Sequence, residues 1–402
     1  MLTRVLHPVA LVLALLPALL LESAAGPPAR AEARPPARIL VGLDGKAFFE
    51  PAGFRDGEGG RDAVLVVDVS EPARPRIVHA LPLSNSVYGP PTNLAITPDG
   101  HLGLVASAMV TVRDGAGWRA EPDDRLHVID LAAEPPALVE TITVGRQPSG
   151  LAIAPAGDVA LVANRVGRSV TVLSIEGRRV APVAEVDLGD EVAGVAIGPD
   201  GRTALAVKNA AGLVAVLRLD GRAVAYDPAA DLPVGRGVYS ADFTPDGRLA
   251  ITANTGPASD GHADTASVIR LDGTRPRVIA HVTVGDTPEV LAVAPDGRHA
   301  VAVIVRGSAA AHDSPTYTPT GSAVLLSIGP AGEVAVVDEV EVGALPEGLA
   351  FGPDGRHVYV GNYVDRTLSV LRIDGDRLVK VGEPLALPGQ PASIGGVAPG
   401  RR

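Results

Sequence analysis

Glu191, Glu289 and Glu347, with Arg146 and Arg236, each stand at or just before the start of a short apolar run that follows a Gly- or Pro-marked turn. Carboxylates and guanidinium groups gathered at one opening suit general acid/base work or the recognition of a polar ligand. As isolated charges on a rim they would only be solvated. Cysteine is absent, which removes disulfides, thiolate zinc and a cysteine nucleophile. The chain has no Gly-x-Ser-x-Gly elbow, no phosphate-cradling Gly loop and no His-Glu-x-x-His helix. His262 and His312 lie in long irregular segments near Asp260, Asp264 and Asp313. That donor set suits a metal, but it is spread over two loops and does not specify one. His101, His299 and His357 follow turns, and His79, His127 and His281 fall in segments read as outer strands, where ordinary structural roles are expected. No cofactor and no metal is expected.

The elements that position these residues follow from composition and repeat. Of 402 residues 46% are hydrophobic and 20% charged, which excludes a disordered chain, and no Gly triplet or heptad persists. The formal charge of -11 gives an acidic surface that repels phosphates, so nucleic acid is not the expected partner. Pro98-Asp99-Gly100, Pro155-Ala156-Gly157, Pro199-Asp200-Gly201, Pro245-Asp246-Gly247, Pro295-Asp296-Gly297 and Pro353-Asp354-Gly355 recur at intervals of 44 to 58 residues. An apolar run precedes each turn, a second follows, and a third ends in an Asp-Gly or Glu-Gly hairpin signal before a fourth closes the unit. Four strands per unit predict an all-β chain, a β-propeller of four-stranded antiparallel blades.

Six internal units account for most of the chain, and the ends supply a seventh. Ile394 to Gly400 reads as a first strand with its turn, while Ile39 to Gly42, Val64 to Val69 and Ile77 to Leu83 read as second, third and fourth strands. A ring closed by a blade shared between the two ends leaves no exposed sheet edge. Spacing near the C-terminus differs by about one residue from the other units, which allows a bulge there. Before the first strand, Arg4 precedes an apolar run from Val9 to Leu21, and small-residue cleavage patterns end at Ala25 and Ala33. Residues 1–33 are therefore expected to be a secretory signal, leaving 34–402 as one propeller domain, without a membrane span, in the periplasm or outside the cell. A monomer is expected.

The second strands Leu161-Val162-Ala163-Asn164, Ile251-Thr252-Ala253-Asn254 and Tyr359-Val360-Gly361-Asn362 resemble the Tyr-Val-Thr-Asn repeat of the YVTN β-propeller family of bacteria and archaea. Gly145 to Ile153 and Gly285 to Val293 resemble that family's approach to the first strand. Nearly the whole chain after residue 33 is covered, with departures at Ser107, Lys208 and Ile304. The resemblance implies an exported seven-bladed propeller, and fold alone confers no reaction. Lactonase-type propellers are similar in architecture, and that likeness implies channel His, Arg and Glu with a Pro-Arg-His run on inner strands. Here the matching segments read Pro148-Ser149-Gly150, Pro288-Glu289-Val290 and Pro346-Glu347-Gly348, without His.

Four connections between second and third strands are long: Asp44 to Asp62, Thr111 to Asp124, Thr255 to Ala266 and Arg306 to Gly321. They fall on one face, with the entries into the first strands, and long loops are more often functional than structural. The few aromatics collect there: Phe48, Phe49, Phe54, Trp118 and Tyr317 in the loops, Tyr88 and Tyr239 in the entries. The expected ligand or partner surface is Phe48, Phe49, Tyr88, Trp118, Arg146, Arg236, Tyr239, Glu289, Tyr317 and Glu347. The function expected is binding of a small molecule or a protein at this mouth, with a lactonase-like hydrolase as the alternative.

Overall fold

The Pro-Asp-Gly turns show why the unit repeats. Gly100, Gly201, Gly247, Gly297 and Gly355 all take a left-handed φ between 65° and 76°, which a side chain would strain. In each turn the Asp carboxylate accepts the backbone N–H two residues on, at 2.8 to 3.1 Å, as Asx turns do. The proline acts between units: Pro98 packs on Gly157, Pro199 on Gly247, Pro245 on Gly297 and Pro295 on Gly355. All three residue types are thus used, two within the turn and one against the next blade.

In the computed structural model, which describes residues 36–273 and 275–397, these units are seven antiparallel sheets in a propeller ring. From the innermost strand outward, blade 1 is Leu94–Ile96, Leu102–Asp114, Gly117–Asp130 and Ala137–Thr143; blade 2 is Pro148–Ile153, Val159–Asn164, Ser169–Glu176 and Arg179–Asp187. Blades 3 to 6 have innermost strands Val192–Ile197, Val238–Phe243, Pro288–Val293 and Pro346–Phe351. Among the described residues the one helical segment is the 3-10 turn Pro228–Ala230, inserted in the outer strand of blade 3. Hydrophobic clusters run between neighbouring blades, as where Leu161, Val170 and Val172 of blade 2 meet Val195, Ala206 and Leu217 of blade 3. Innermost strands approach so closely that a Cβ on Gly150 would lie 2.6 Å from the Gly194 Cα.

Blade 7 is the shared one. Its innermost strand is Gln390–Gly395, paired antiparallel with Arg38–Asp44, which continues to Ala63–Asp68 and Arg76–Leu81. The closing strand therefore begins four residues earlier than the Ile394 to Gly400 reading placed it, because Gln390 and Pro391 already pair with Asp44 and Leu43. Residues 398–402 and the expected signal over 1–33 lie outside the described residues. A register shift in this pair leaves Ala392 unpaired. Similar bulges open the first strands of blades 2 to 6, so the bulge is a feature of the repeat.

The second-strand Asn ties three blades together internally. Its amide donates to two hydroxyls of the third strand: Asn164 to Ser169 and Thr171, Asn254 to Thr265 and Ser267, Asn362 to Thr367 and Ser369, at 2.8 to 3.1 Å. In blade 3 Lys208 takes this place, and its ammonium reaches Asp231 at 3.0 Å and the Tyr226 hydroxyl at 3.3 Å on the outer strand. Replacing buried Asn362 by Ala strands two hydroxyls, so urea denaturation of Asn362→Ala should show a loss of about 1–3 kcal/mol.

Candidate functional site

Each innermost strand of blades 2 to 6 loses its ladder register one residue after its start, and the unpaired residues are Ser149, Ala193, Tyr239, Glu289 and, in blade 6, Glu347 with Gly348. A bulge re-aims a side chain that would otherwise lie along the sheet. The turn before it contributes: Gln147, Thr287 and Leu345, and Gly237 in blade 4, all take a left-handed φ of 48° to 66°. For β-branched Thr287 this is a strained conformation. It is held by its side chain, which donates to Asp286 at 2.8 Å and accepts from the Ser259 N–H at 2.5 Å.

Three of the expected residues, Tyr239, Glu289 and Glu347, come together in this way. Burial pushes the Glu289 carboxyl up to about 7, with Arg165 acting in the opposite sense. Burial and the charge of Glu289 together push Glu347 well above the ordinary value of 4.5. Glu347 is only 4% exposed, and its Oε2 has no hydrogen-bond partner among the described residues. Burial and Glu289 also raise the Tyr239 phenol. Two carboxyls in a low-dielectric site cannot both ionise freely, so the pair holds a proton at neutral pH. Asp242, further along the innermost strand of blade 4, is pushed up by burial to about 6 while accepting the N–H groups of Val293 and Phe243 at 2.8 Å.

The cation at this site is one that the sequence did not single out. Arg165, at the end of the second strand of blade 2, lies over the Tyr239 ring at 5.8 Å. It donates to Glu191 at 3.3 Å and to the Asn209 side-chain oxygen at 3.1 Å. Arg146 and Arg236 stay on the exposed rim, with no ion pair among the described residues. Nothing local distinguishes Arg165 from Arg146. The choice depends on which guanidinium the ring closure brings over blade 4.

A second feature covers the mouth. Of the four long connections, Asp44 to Asp62 contains a hairpin, Ala47–Glu50 with Gly53–Asp56. It reaches from blade 7 toward blades 5, 6 and 1. Phe49 meets Phe54 edge-on at 5.0 Å and Tyr363 at 5.7 Å, and packs with Val305, Leu345 and Ala392. The Ala47 carbonyl accepts from the Tyr363 hydroxyl at 2.7 Å, and the Pro51 carbonyl from the His312 N–H at 2.9 Å. Tyr88 gives its hydroxyl to Asp56 at 2.5 Å and meets Phe54 edge-on at 5.7 Å. Phe48 is half-buried under the Arg55 guanidinium. Phe49 and Tyr88 thus hold this roof in place, Phe48 packs within the hairpin itself, and Phe54, 45% exposed, is its open aromatic. Beneath the hairpin the Lys46 ammonium is buried between Asp62 at 2.8 Å and Asp44 at 3.5 Å.

Thr111 to Asp124 is not an irregular loop. The strands of blade 1 continue to Asp114 and resume at Gly117, so Trp118 stands near a hairpin tip opposite Arg113. Tyr317 stacks on His312 at 4.3 Å. His262 meets only Asp260, at 3.4 Å, and no group of three metal donors forms among the described residues. His127 lies in the third strand of blade 1, not an outer one, and is buried between the Ser84 and Thr141 hydroxyls.

The chain is therefore a seven-bladed β-propeller with an acid pair at the loop-bearing end of its channel. No family model matches it, and no curated protein does. Among solved structures it is similar to a proposed 6-phosphogluconolactonase from Bacteroides fragilis, with a TM-score of 0.68, 16% identity, and coverage of 91% of this chain and 99% of that one. It is also similar to the periplasmic gluconolactonase of Pseudomonas aeruginosa, with a TM-score of 0.62, 21% identity, and coverage of 90% and 99%. A protein of unknown function from Desulfotomaculum acetoxidans matches with a TM-score of 0.65, 16% identity, and coverage of 90% and 99%. At these identities the likeness concerns the fold.

Proposed function

We propose that this protein is an exported propeller of the YVTN-repeat kind that binds a small polar molecule at the mouth of its channel. Glu289, Glu347, Tyr239 and Arg165 are the recognition groups. The observation behind this reading is the Glu347 carboxyl, buried and unpartnered at Oε2, with its hold on a proton strengthened by burial and then by the charge of Glu289. A group in that state is costly unless something else completes its hydrogen bonds. A ligand with hydroxyl or amine donors would do so, while Arg165 stands opposite for an acceptor.

A second reading, lactone opening, is favoured by Glu289. A carboxyl titrating near neutrality can take a proton from water and return it to a departing ring oxygen, the work expected of the missing histidine. One experiment addresses both readings. Purified protein is tested for thermal stabilisation by D-gluconate and for opening of D-glucono-1,5-lactone above the buffer rate, alongside Glu347→Gln and Arg165→Ala. Binding predicts stabilisation that falls at least tenfold in apparent affinity in both variants. Catalysis predicts, in addition, a rate with an inflection near pH 7 that Glu289→Gln removes. No stabilisation and no rate, with a wider polar ligand panel equally silent, would sink the channel assignment.

A further inference from the structure

A second opening lies outside the acid pair, between the extended hairpin of blade 1 and residues 58 to 62 of blade 7. It is a cleft of about 360 Å³, and Trp118, Glu58, Gly59, Gly60, Ser84 and Arg125 are among its walls. That volume falls within the range of small-molecule sites, which combine an apolar or aromatic wall with a few polar groups.

The free and the occupied groups of this cleft define what fits. Its two cations are already neutralised: Lys46 by Asp62 at 2.8 Å, and Arg125 by Asp123 at 2.7 Å. Glu58 is exposed and has no ion-pair partner among the described residues. Among the lining residues the charge left over is that of Glu58, which disfavours a phosphate or sugar acid there; the Arg113 guanidinium lies outside the lining, over the Trp118 ring at 5.4 Å. The backbone N–H groups of Glu58, Gly59 and Gly60 make no hydrogen bond within the described protein, nor does the Trp118 indole N–H. Gly60, at φ 92°, leaves its backbone uncovered. Donors and acceptors therefore stand unused on one side, and on the other a half-buried indole with Arg113 over one face, which leaves the opposite face for a ligand. A flat, uncharged ring with hydroxyls at its edge and C–H groups on its faces satisfies both sides at once.

We propose that this cleft is a binding site for a neutral saccharide, independent of the channel, with Trp118 as its platform and Glu58 as its hydroxyl acceptor. Trp118 is the only tryptophan, so its emission reports the site directly. The full chain is titrated with D-glucose, N-acetyl-D-glucosamine, maltose and cellobiose, with D-gluconate as the charged control. At least one neutral sugar is expected to give a saturable emission change. Glu58→Gln should weaken it about tenfold or more, as loss of a charge-assisted hydrogen bond does. Calorimetry on Trp118→Ala should show a similar loss, and Glu347→Gln should bind the sugar unchanged. No saturable response to any of the four sugars would overturn the proposal. So would gluconate binding as tightly as glucose, or a response that disappears in Glu347→Gln while persisting in Glu58→Gln. Silence here with an intact channel result would leave the channel reading standing, and the converse holds equally.

Discussion

Deleting residues 390–402 will destabilise the whole ring instead of merely shortening its end. The strand Gln390–Gly395 is buried at every position and is the innermost member of blade 7. Five of its residues pair with Arg38–Asp44. Ile394 packs with Ile39, Val41 and Tyr359, so the strand joins blades 6 and 7. It approaches blade 6 so closely that a Cβ on Gly348 would lie 2.6 Å from the Ile394 amide nitrogen. Losing ladder bonds worth about 1 kcal/mol each, together with a buried isoleucine worth about 2–3 kcal/mol, approaches the roughly 5–15 kcal/mol that holds an ordinary domain together. It also exposes the edge of Arg38–Asp44 as a template for association. Thermal denaturation followed by far-ultraviolet circular dichroism should show a loss of more than about 10 °C or no cooperative transition. A synthetic peptide of residues 390–402 should restore part of it by strand addition. A truncated chain melting within about 2 °C of the full one would show that closure does not depend on this strand.

The parts of the molecule that were legible in the sequence obey local rules. Pro-Asp-Gly specifies its own turn geometry, and the second-strand Asn needs hydroxyls only a few residues ahead, so blades and strand order could be read directly. The shared blade was legible because its two halves are incomplete in complementary ways. Asp114-Gly115 is a readable hairpin signal, with Gly115 at φ 58°, yet Thr111 to Asp124 has the length of a loop in the repeat because its strands extend the blade beyond the other units. The roof was hidden for the same reason: Pro51-Ala52-Gly53 between aromatic positions is hairpin chemistry, but its destination over Tyr363 is set by ring closure. Glu289 and Glu347 were visible as equivalent positions after Pro288 and Pro346. Their mutual effect and the approach of Arg165 are properties of adjacent and distant blades, which no short stretch of sequence contains.

The acid pair should make the stability of this propeller fall as pH rises toward and past neutrality. Glu289 and Glu347 have folded values above the 4.5 of an ordinary glutamate. Between 4.5 and those values the native state keeps protons that the unfolded chain has released, so the slope of stability with pH is negative there. For Glu289, at about 7, the loss is of order 3 kcal/mol at about 1.4 kcal/mol per pH unit. Other buried groups titrate nearby, among them Asp44, which burial raises and which acts in the same sense. Asp242, at about 6, acts in the same sense. His127, pushed down to about 4 by burial and then by Arg125, acts in the opposite sense between pH 4 and 6.5. The turn aspartates Asp99, Asp200, Asp246, Asp296 and Asp354 are buried in part but held low by the hydrogen bonds they accept. Their contribution is lost only on acidification below about pH 4. The informative quantity is therefore the Tm of the double variant Glu289→Gln, Glu347→Gln minus that of the wild type, in which the unchanged groups cancel. With an unfolding entropy of roughly 2.1 cal/mol/K per residue, that difference should grow by about 4 °C or more between pH 5 and pH 8. A difference that stays flat across this interval would mean that the two carboxyls ionise as ordinary surface acids, and the proton that the proposed site relies on would not be there.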